Sequence, residues 1–150
     1  MSIIEDRLRE MNLELGKPRL PVGNYLGFNI VGNLLFASAL VSELRGEVGT
    51  DISEEEAKEA SGITALQILA IVKQGIQDLD QLVGVVKLTG FIRSSSKFTN
   101  HPKVLDGASD LLIALFGESG RHARTATGVA QLPFGASVQL DITFQIKLFL

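Results

Sequence analysis

The sequence predicts an α+β fold, a mixed β-sheet with two main helices packed on one of its faces. Two segments, 53–75 and 104–116, carry apolar residues at helical spacing, and they alternate with segments of strand pattern. Residues 138–148 alternate strictly between apolar and polar types, which is the period of a half-buried strand. The predicted order β-β-α-β-α-β-β leaves one face of the sheet for water or another subunit.

The N-terminal residues predict a short helix. Ser2 and Glu5 have the spacing of a capping box, and apolar residues follow at near-helical intervals. We expect the helix to end by Gly16, because Lys17-Pro18 cannot continue it. A chain of 150 residues with 45% hydrophobic content fits one domain, so we expect a single domain over 1–150 with a helical extension at 1–17.

The next segments predict a β-hairpin followed by a loop. Strand patterns at 26–31 and 34–41 flank Gly32-Asn33, a pair suited to a two-residue turn. Residues 42–52 are polar with two glycines, which is typical of a loop and suggests a mobile one beside the site.

The central part of the chain predicts a long helix and a buried strand. Ser53 and Glu56 form a second capping box, and Gly75 is the expected end of the helix. Its apolar stripe is Ala57, Ala60, Thr64, Ile68, Ile71 and Val72. Residues 82–92 are apolar enough to predict a strand buried on both faces.

The C-terminal part predicts one more helix and two strands. The helix over 104–116 should end at Gly117, and a strand should cover 124–131. Residues 132–136 contain Pro and Gly and are expected to form a hairpin connection to the last strand.

Composition excludes several classes of function. A net charge of -3 offers no basic surface for phosphates, so we expect no nucleic-acid partner. The absence of cysteine excludes disulfides, thiolate nucleophiles and thiolate metal ligands, and favours the cytoplasm. We find no signal-peptide pattern and no apolar run long enough for a membrane span, so no membrane partner is expected. His101 and His122 alone could form at most a sparse metal site, and we expect none.

Several short strings, taken in order, resemble one known family. The chain from about residue 21 resembles the reactive-intermediate deaminase, or YjgF-like, family, and the order and spacing of the strings make the resemblance specific. The strings are Gly23-Asn24-Tyr25, Val31-Gly32-Asn33-Leu34-Leu35-Phe36, Val86-Lys87-Leu88-Thr89-Gly90-Phe91, His122-Ala123-Arg124-Thr125 and Gln131-Leu132-Pro133. The stretch 102–117 is similar to a branch labelled endoribonuclease-like that carries an N-terminal helical extension.

The resemblance implies a fold, an assembly and an activity. The fold would be chorismate-mutase-like, and the assembly a homotrimer with a central β-barrel and three ligand clefts between subunits. Members of the family hydrolyse reactive 2-enamino or 2-imino acids to 2-keto acids and ammonia, without a metal or an organic cofactor. The ligand is therefore expected to be a small molecule that carries a carboxylate.

The resemblance also implies site residues. Arg124, beside Thr125 in the Ala-Arg-Ser/Thr hallmark, would bind the ligand carboxylate, since a planar guanidinium donates two parallel hydrogen bonds. Tyr25 would offer its hydroxyl to the ligand, and the main chain of Ala126 would hold water. Taken alone, Arg124 could instead pair with a surface carboxylate such as Glu118, and Tyr25 could be a ring at the edge of the core.

Four positions depart from the family pattern, two of them adjacent. Gln139 stands where the family has a water-activating glutamate, and glutamine cannot accept a proton. Asp141, two residues along the same strand face, is a possible substitute. Ala39, within Ser38-Ala39-Leu40, lies where the family has Ser-Gly-Gln, and Asp106 replaces a common asparagine. The sequence therefore leaves two main hypotheses open, a deaminase and a non-catalytic trimer that binds 2-keto acids. RNA cleavage is a third.

Overall fold

The computed structural model describes residues 2–148, so the ends of the expected 1–150 domain, residues 1, 149 and 150, lie outside it. Three α-helices are present in this range: α1 (Ile3–Glu10), α2 (Glu54–Ile76) and α3 (His101–Phe116). Six strands accompany them: β1 (Phe28–Val31), β2 (Leu34–Ala37), β3 (Leu40–Val41), β4 (Leu82–Arg93), β5 (Ala123–Val129) and β6 (Val138–Ile146).

The strands form one mixed sheet. Its order is β1-β2-β6-β4-β5, and β3 also pairs with β6. The pairs are antiparallel except β4 with β5, which run parallel. Helices α2 and α3 pack together against one face of the sheet, and the core between the layers includes Ile68, Leu112, Leu88 and Ile142, each at most 1% exposed. The predicted α+β fold class is confirmed.

Strand β6 shows the alternation that its sequence predicts. Four of its apolar residues, Val138, Leu140, Ile142 and Phe144, are fully buried on the helix-covered face. The polar residues between them point to the other face and are half-buried or exposed. The strand ends at Ile146, and Leu148 beyond it is exposed.

Helix α2 begins as predicted and ends slightly later. Glu56 N donates to Ser53 Oγ at 3.1 Å and Ser53 N to Glu56 Oε1 at 3.2 Å, which completes the capping box. The expected end at Gly75 is wrong, because the helix continues to Ile76 and Gln77 takes the positive φ of 70°. A Cβ at Gly75 would lie 2.3 Å from Phe28 Cζ, so this glycine is required for close packing.

The first hairpin is confirmed in part. Val31 and Leu34 pair across the two-residue turn Gly32-Asn33. The predicted second strand, however, is interrupted at 38–39 into β2 and β3. Both pieces pair with β6, and the interruption leaves residues 38 and 39 outside this pairing.

Two other predictions about the strands are wrong. Strand β4 is not buried on both faces, since Val86 is 41% exposed and Lys87 is also exposed where no helix covers the sheet. The segment 132–136 does not join a hairpin, because β4 lies between β5 and β6 in the sheet. It contains instead a short 3-10 turn, Pro133–Gly135.

The segment 42–52 is fixed to the sheet, contrary to the expectation of a mobile loop. Val48 is fully buried, and its N–H donates to Arg93 O at 2.9 Å. Ser95 N donates in turn to Val48 O at 2.9 Å. These bonds and the buried side chain tie the segment to the end of β4.

Helix α1 is short and ends before Gly16, as predicted, and it packs into the core. It ends at Glu10, and Asn12 adopts a positive φ of 56°. Ile4 and Leu8 are buried in the main core cluster. The side chain of Arg7 donates to Leu115 O at 2.5 Å, which fixes α1 against the end of α3.

Asp80 binds the N-terminus of α1. Its carboxylate accepts hydrogen bonds from Ser2 Oγ at 2.7 Å, Ile3 N at 2.8 Å and Ile4 N at 3.2 Å. Burial of the carboxylate acts to raise the pKa of Asp80, but the hydrogen bonds from Ile3, Ser2 and Ile4 outweigh it, so the pKa is lowered. A long-range contact therefore satisfies N–H groups that a helix N-terminus leaves unpaired.

We predict that Asp80→Ala destabilises the protein by about 1 kcal/mol at pH 7, as the loss of a helix cap does. A lowered folded-state pKa means that the charge-dependent stabilisation is present above the unfolded value of 3.8 and is lost as the pH falls through the folded value. Urea unfolding from pH 7 to pH 3 should therefore show the difference from wild type shrinking with acidity. Asp110→Asn, at an exposed position on α3, is the control. A difference that stays constant over this range would contradict the role of the Asp80 charge.

Candidate functional site

A pocket of about 470 Å³ opens at the break between β2 and β3. It contains three of the predicted site residues, Tyr25, Ala39 and Gln139. The rest of its lining comes from the segment before β1, the strand break, the 3-10 turn before β6 and α2. These residues are Arg19, Leu20, Pro21, Val22, Gly27, Ser38, Leu40, Val41, Ile71, Pro133 and Phe134.

Hydrogen bonds hold the wall that carries Tyr25. Val22 N donates to Tyr25 Oη at 3.2 Å, which curls this segment around the ring. Ser38 Oγ donates to Leu26 O at 2.5 Å, and Ser38 N to Gly27 O at 2.9 Å. The segment is thereby tied to the strand break, and Tyr25 as a whole residue stays 46% exposed.

Arg124 lies outside this pocket, on edge strand β5. It is in register with Leu88 of β4, which is fully buried, so its side chain lies on the helix-covered side of the sheet. Nη1 donates to Asp106 Oδ1 at 2.8 Å, and Nη2 to Pro102 O at 3.3 Å. Arg124 therefore does pair with a partly exposed carboxylate, as the alternative expected, but the partner is Asp106, and Glu118 pairs with Arg121.

Ser109 and His122 orient the guanidinium of Arg124. Arg124 Nη1 donates to Ser109 Oγ at 3.1 Å, and Ser109 Oγ lies 2.9 Å from His122 Nε2. His122 Nδ1 lies 2.6 Å from Gly120 O, and a carbonyl only accepts. A neutral His122 therefore carries its proton on Nδ1 and accepts the Ser109 hydroxyl proton at Nε2. Sequence reasoning missed Ser109, although its place three residues after Asp106 on α3 puts both on one helix face.

A single subunit does not bring Arg124 to the other predicted residues. Arg124 and Gln139 are separated by β4 and are offset by three residues along the strands, because Arg124 aligns with Ile142 through Leu88. Two strand spacings alone are roughly 10 Å. Of its neighbours, Thr125 is exposed and in register with Thr89, and Ala126 packs against the core.

Asp141 also lies outside the pocket lining. It is in register with Thr89 on the helix-free face of the sheet. Burial raises the pKa of Asp141, and the positive charge of Lys87 opposes this without overcoming it. None of the described residues that line the pocket carries a carboxylate.

The described residues contain no cluster suited to a metal ion. Within 2–148, no three His, Cys, Asp or Glu side chains converge as a metal site requires. His101 has Ser94 Oγ within 2.9 Å of its Nε2 and Phe98 against its ring. Over the same residues, no helix combines the length and apolar character that a membrane crossing needs.

Comparison with known proteins gives concordant results. The family model described as "YjgF/chorismate mutase-like, putative endoribonuclease" matches residues 5–144. Protein TCP17 of Trypanosoma cruzi is 36% identical over 147 residues, which cover 93% of this chain and 92% of the relative.

Two solved structures extend the comparison to three dimensions. The protein Atu1372 of Agrobacterium tumefaciens is 39% identical with a TM-score of 0.87, and the match covers 97% of this chain and 94% of that one. A Shewanella oneidensis protein described as "a putative endoribonuclease" is 31% identical with a TM-score of 0.91, and the match covers 95% and 99% of the two chains. Because the family model spans most of the chain and the relatives match over nearly their whole lengths, this chain belongs to the YjgF/chorismate mutase-like family.

Proposed function

We propose that the protein hydrolyses small reactive 2-imino or 2-enamino acids to 2-keto acids and ammonia, in clefts between the subunits of a homotrimer. The observation that carries the proposal is the division of the predicted site within one subunit. Tyr25 and Gln139 line the pocket, whereas Arg124 lies on the far edge strand. A second copy that brings β5 against the pocket would unite the two halves.

The helix-free face of the sheet favours such an assembly. Phe36 is in register with Thr143 on this face and is 43% exposed, and Val31 in β1 is 61% exposed. A sheet face that mixes exposed apolar residues with polar ones is typical of a surface covered by another subunit. Closure by three copies would produce the central β-barrel.

The proposed reaction needs little from the protein besides positioning. Water adds through its oxygen to C2 of the protonated imine, the C–N bond then breaks, and ammonia leaves the 2-keto acid. The carboxylate of the substrate would bind Arg124, sharing its guanidinium with Asp106. Gln139 can hold the water through its amide oxygen, and Tyr25 can donate its hydroxyl to the ligand. The protons move through solvent, because Gln139 cannot take one.

A second candidate is a trimer that binds 2-keto acids without turning them over. The absence of a carboxylate among the described pocket residues favours it, since general-base catalysis contributes roughly 10²–10⁴-fold in rate. Gln139→Glu would restore a base at the family position. If the wild-type rate is close to that of buffer and this substitution raises kcat strongly, the wild-type protein binds the ligand without hydrolysing it.

RNA cleavage, suggested by the description of the family and of the Shewanella oneidensis relative, is the weaker alternative. The net charge of -3 supplies no excess of cations for a phosphate backbone. RNA degradation that survives repurification and is lost in Arg124→Ala would support it.

We predict that the wild-type protein accelerates the decay of imines freshly produced by an amino-acid oxidase, measured by stopped flow. Arg124→Ala should lower kcat/KM roughly 10- to 100-fold, because it removes charge-assisted hydrogen bonds to the substrate carboxylate. Arg121→Ala, which removes an exposed guanidinium near the same strand, should leave the rate unchanged. No acceleration over buffer at high protein concentration would rule out the deaminase.

Light scattering should give a mass of about 49 kDa, three times the subunit mass of 16.2 kDa. Phe36→Glu should lower it to that of a monomer, because the change places an unpaired charge on the helix-free face. Ile63→Glu is the matched control, since Ile63 is similarly exposed, at 46%, but lies on α2. A monomeric wild type would remove the assembly and with it the inter-subunit cleft.

Asp141→Asn should stabilise the protein at neutral pH. The folded-state pKa of Asp141 is raised above 3.8, so the folded protein binds this proton more tightly than the unfolded chain, and stability falls as the pH rises through the folded value. The substitution removes the ionisation that causes this loss. The stability of the variant relative to wild type should therefore increase from acidic to neutral pH. Thermal unfolding of both proteins across this range measures it. A variant that is less stable than wild type at pH 7 would contradict burial as the dominant effect.

A further inference from the structure

The pocket at the β2–β3 break contains its own guanidinium. Arg19 Nη1 donates to Val41 O at 2.7 Å and to Gln67 Oε1 at 3.1 Å, and both acceptors are neutral. Among residues 2–148, no carboxylate oxygen lies within 4.0 Å of the Arg19 guanidinium. The Gln67 amide separates Arg19 from Glu43, to which it donates at 2.9 Å.

Arg19 and Arg124 differ in whether a carboxylate contacts the guanidinium. Arg124 is paired with the Asp106 carboxylate at 2.8 Å, so its charge is neutralised within the subunit. Arg19 lies in a partly buried position and, among the described residues, has no carboxylate in direct contact, which favours a bound anion.

Arg19 and Gln139 line the same pocket. Val41, whose carbonyl binds Arg19, is the register partner of Gln139 across the β3–β6 pair. Gln139 adds no negative charge to the pocket lining that it shares with Arg19, whereas a glutamate at 139 would. A ligand carboxylate on Arg19 would lie in the same pocket as the Gln139 amide.

The other walls of the pocket are largely apolar. Leu20 and Val22 are 80% and 72% exposed, and Ile71 of α2 lies in the same wall. A volume of about 470 Å³ lies in the range that drug-sized ligands occupy, and it is more than a four-carbon acid needs. The pocket therefore suits a ligand with one anionic end and a bulky apolar body.

Phe134 strengthens this assignment. It is 61% exposed at the pocket and is held at φ 60° and ψ 17°. A bulky residue pays a steric cost in this left-handed region, where glycine would not. An exposed aromatic ring kept there at a cost is explained if the ring contacts a ligand.

We propose that Arg19 binds the carboxylate of the ligand, and that the ligand is a 2-oxo or 2-imino acid with a branched or aromatic side chain that packs against Ile71 and Phe134. The inference rests on the proposed function only in taking this pocket as the ligand site. Arg124 of a neighbouring copy, which the proposed function places on the same carboxylate, would share it with Arg19.

Calorimetry with 2-oxobutanoate and 4-methyl-2-oxopentanoate tests the proposal. The branched acid should bind at least about tenfold more tightly, since each additional buried methylene contributes roughly fourfold. Arg19→Gln should raise its Kd roughly 10- to 100-fold, and Arg19→Lys should recover part of the loss. Phe134→Ala should remove the preference for the branched acid while 2-oxobutanoate still binds.

Arg121→Gln, an equal change of charge at an exposed site, is the control and should bind both acids as wild type does. Circular dichroism establishes that each variant is folded. Equal Kd values of wild type for the two acids, or wild-type binding by Arg19→Gln, would overturn the proposal.

A parallel series with Arg124→Ala separates this inference from the proposed function. If Arg124→Ala loses imine hydrolysis while Arg19→Gln binds normally, the proposed role of Arg19 is wrong and the proposed deaminase function stands. Tight binding of the branched acid that depends on Arg19, by a protein that does not accelerate imine hydrolysis, would support the role of Arg19 and rule out the deaminase.

Discussion

Strand β6 is the element through which the rest of the sheet is organised. It pairs with β2, β3 and β4, and its residues Leu140, Ile142 and Phe144 are fully buried beneath the helices. Because side chains alternate with a period of two, a slip of one residue would exchange the core-facing and open-facing sets. The burial of one set therefore determines that Gln139 and Asp141 point the other way, towards the pocket edge and the open sheet.

The charged surroundings of Arg124 and Arg19, the two arginines proposed to bind the ligand, differ. Arg124 is held by Asp106 and Ser109, and His122 completes the network behind Ser109. This arrangement makes the guanidinium rigid, but it also means that a ligand must share it with an internal carboxylate. The hydrogen bonds of the Arg19 guanidinium go to neutral oxygens, so an anion that enters the pocket could bind it without displacing a carboxylate. The two sites thus offer a bound anion different electrostatic environments.

Local signals were sufficient for most of the elements. The capping box at Ser53, the turn at Gly32-Asn33 and the alternation of β6 each depend on residues a few positions apart, and the structure has all three. Predictions that depended on distant neighbours were less successful. A segment rich in Pro and Gly between two strands is typical of a hairpin, yet β4 lies between β5 and β6. Gly75 fitted the pattern of a helix end, but a glycine is required there because the ring of Phe28, 47 residues earlier, leaves no room for a Cβ.

The sequence by itself determined the order and type of the elements, the face that β6 buries, the family, and the candidate residues Arg124, Tyr25 and Gln139. Periodicity, caps and motif strings are sufficient for these because they are local. Only the tertiary structure decided that Arg124 is paired with Asp106, that Asp141 lies outside the pocket, and that Arg19 lines it without a carboxylate partner among the described residues. The contact between Arg19 and Val41 joins residues 22 positions apart, and such contacts depend on how the layers pack, which no local pattern in the chain records.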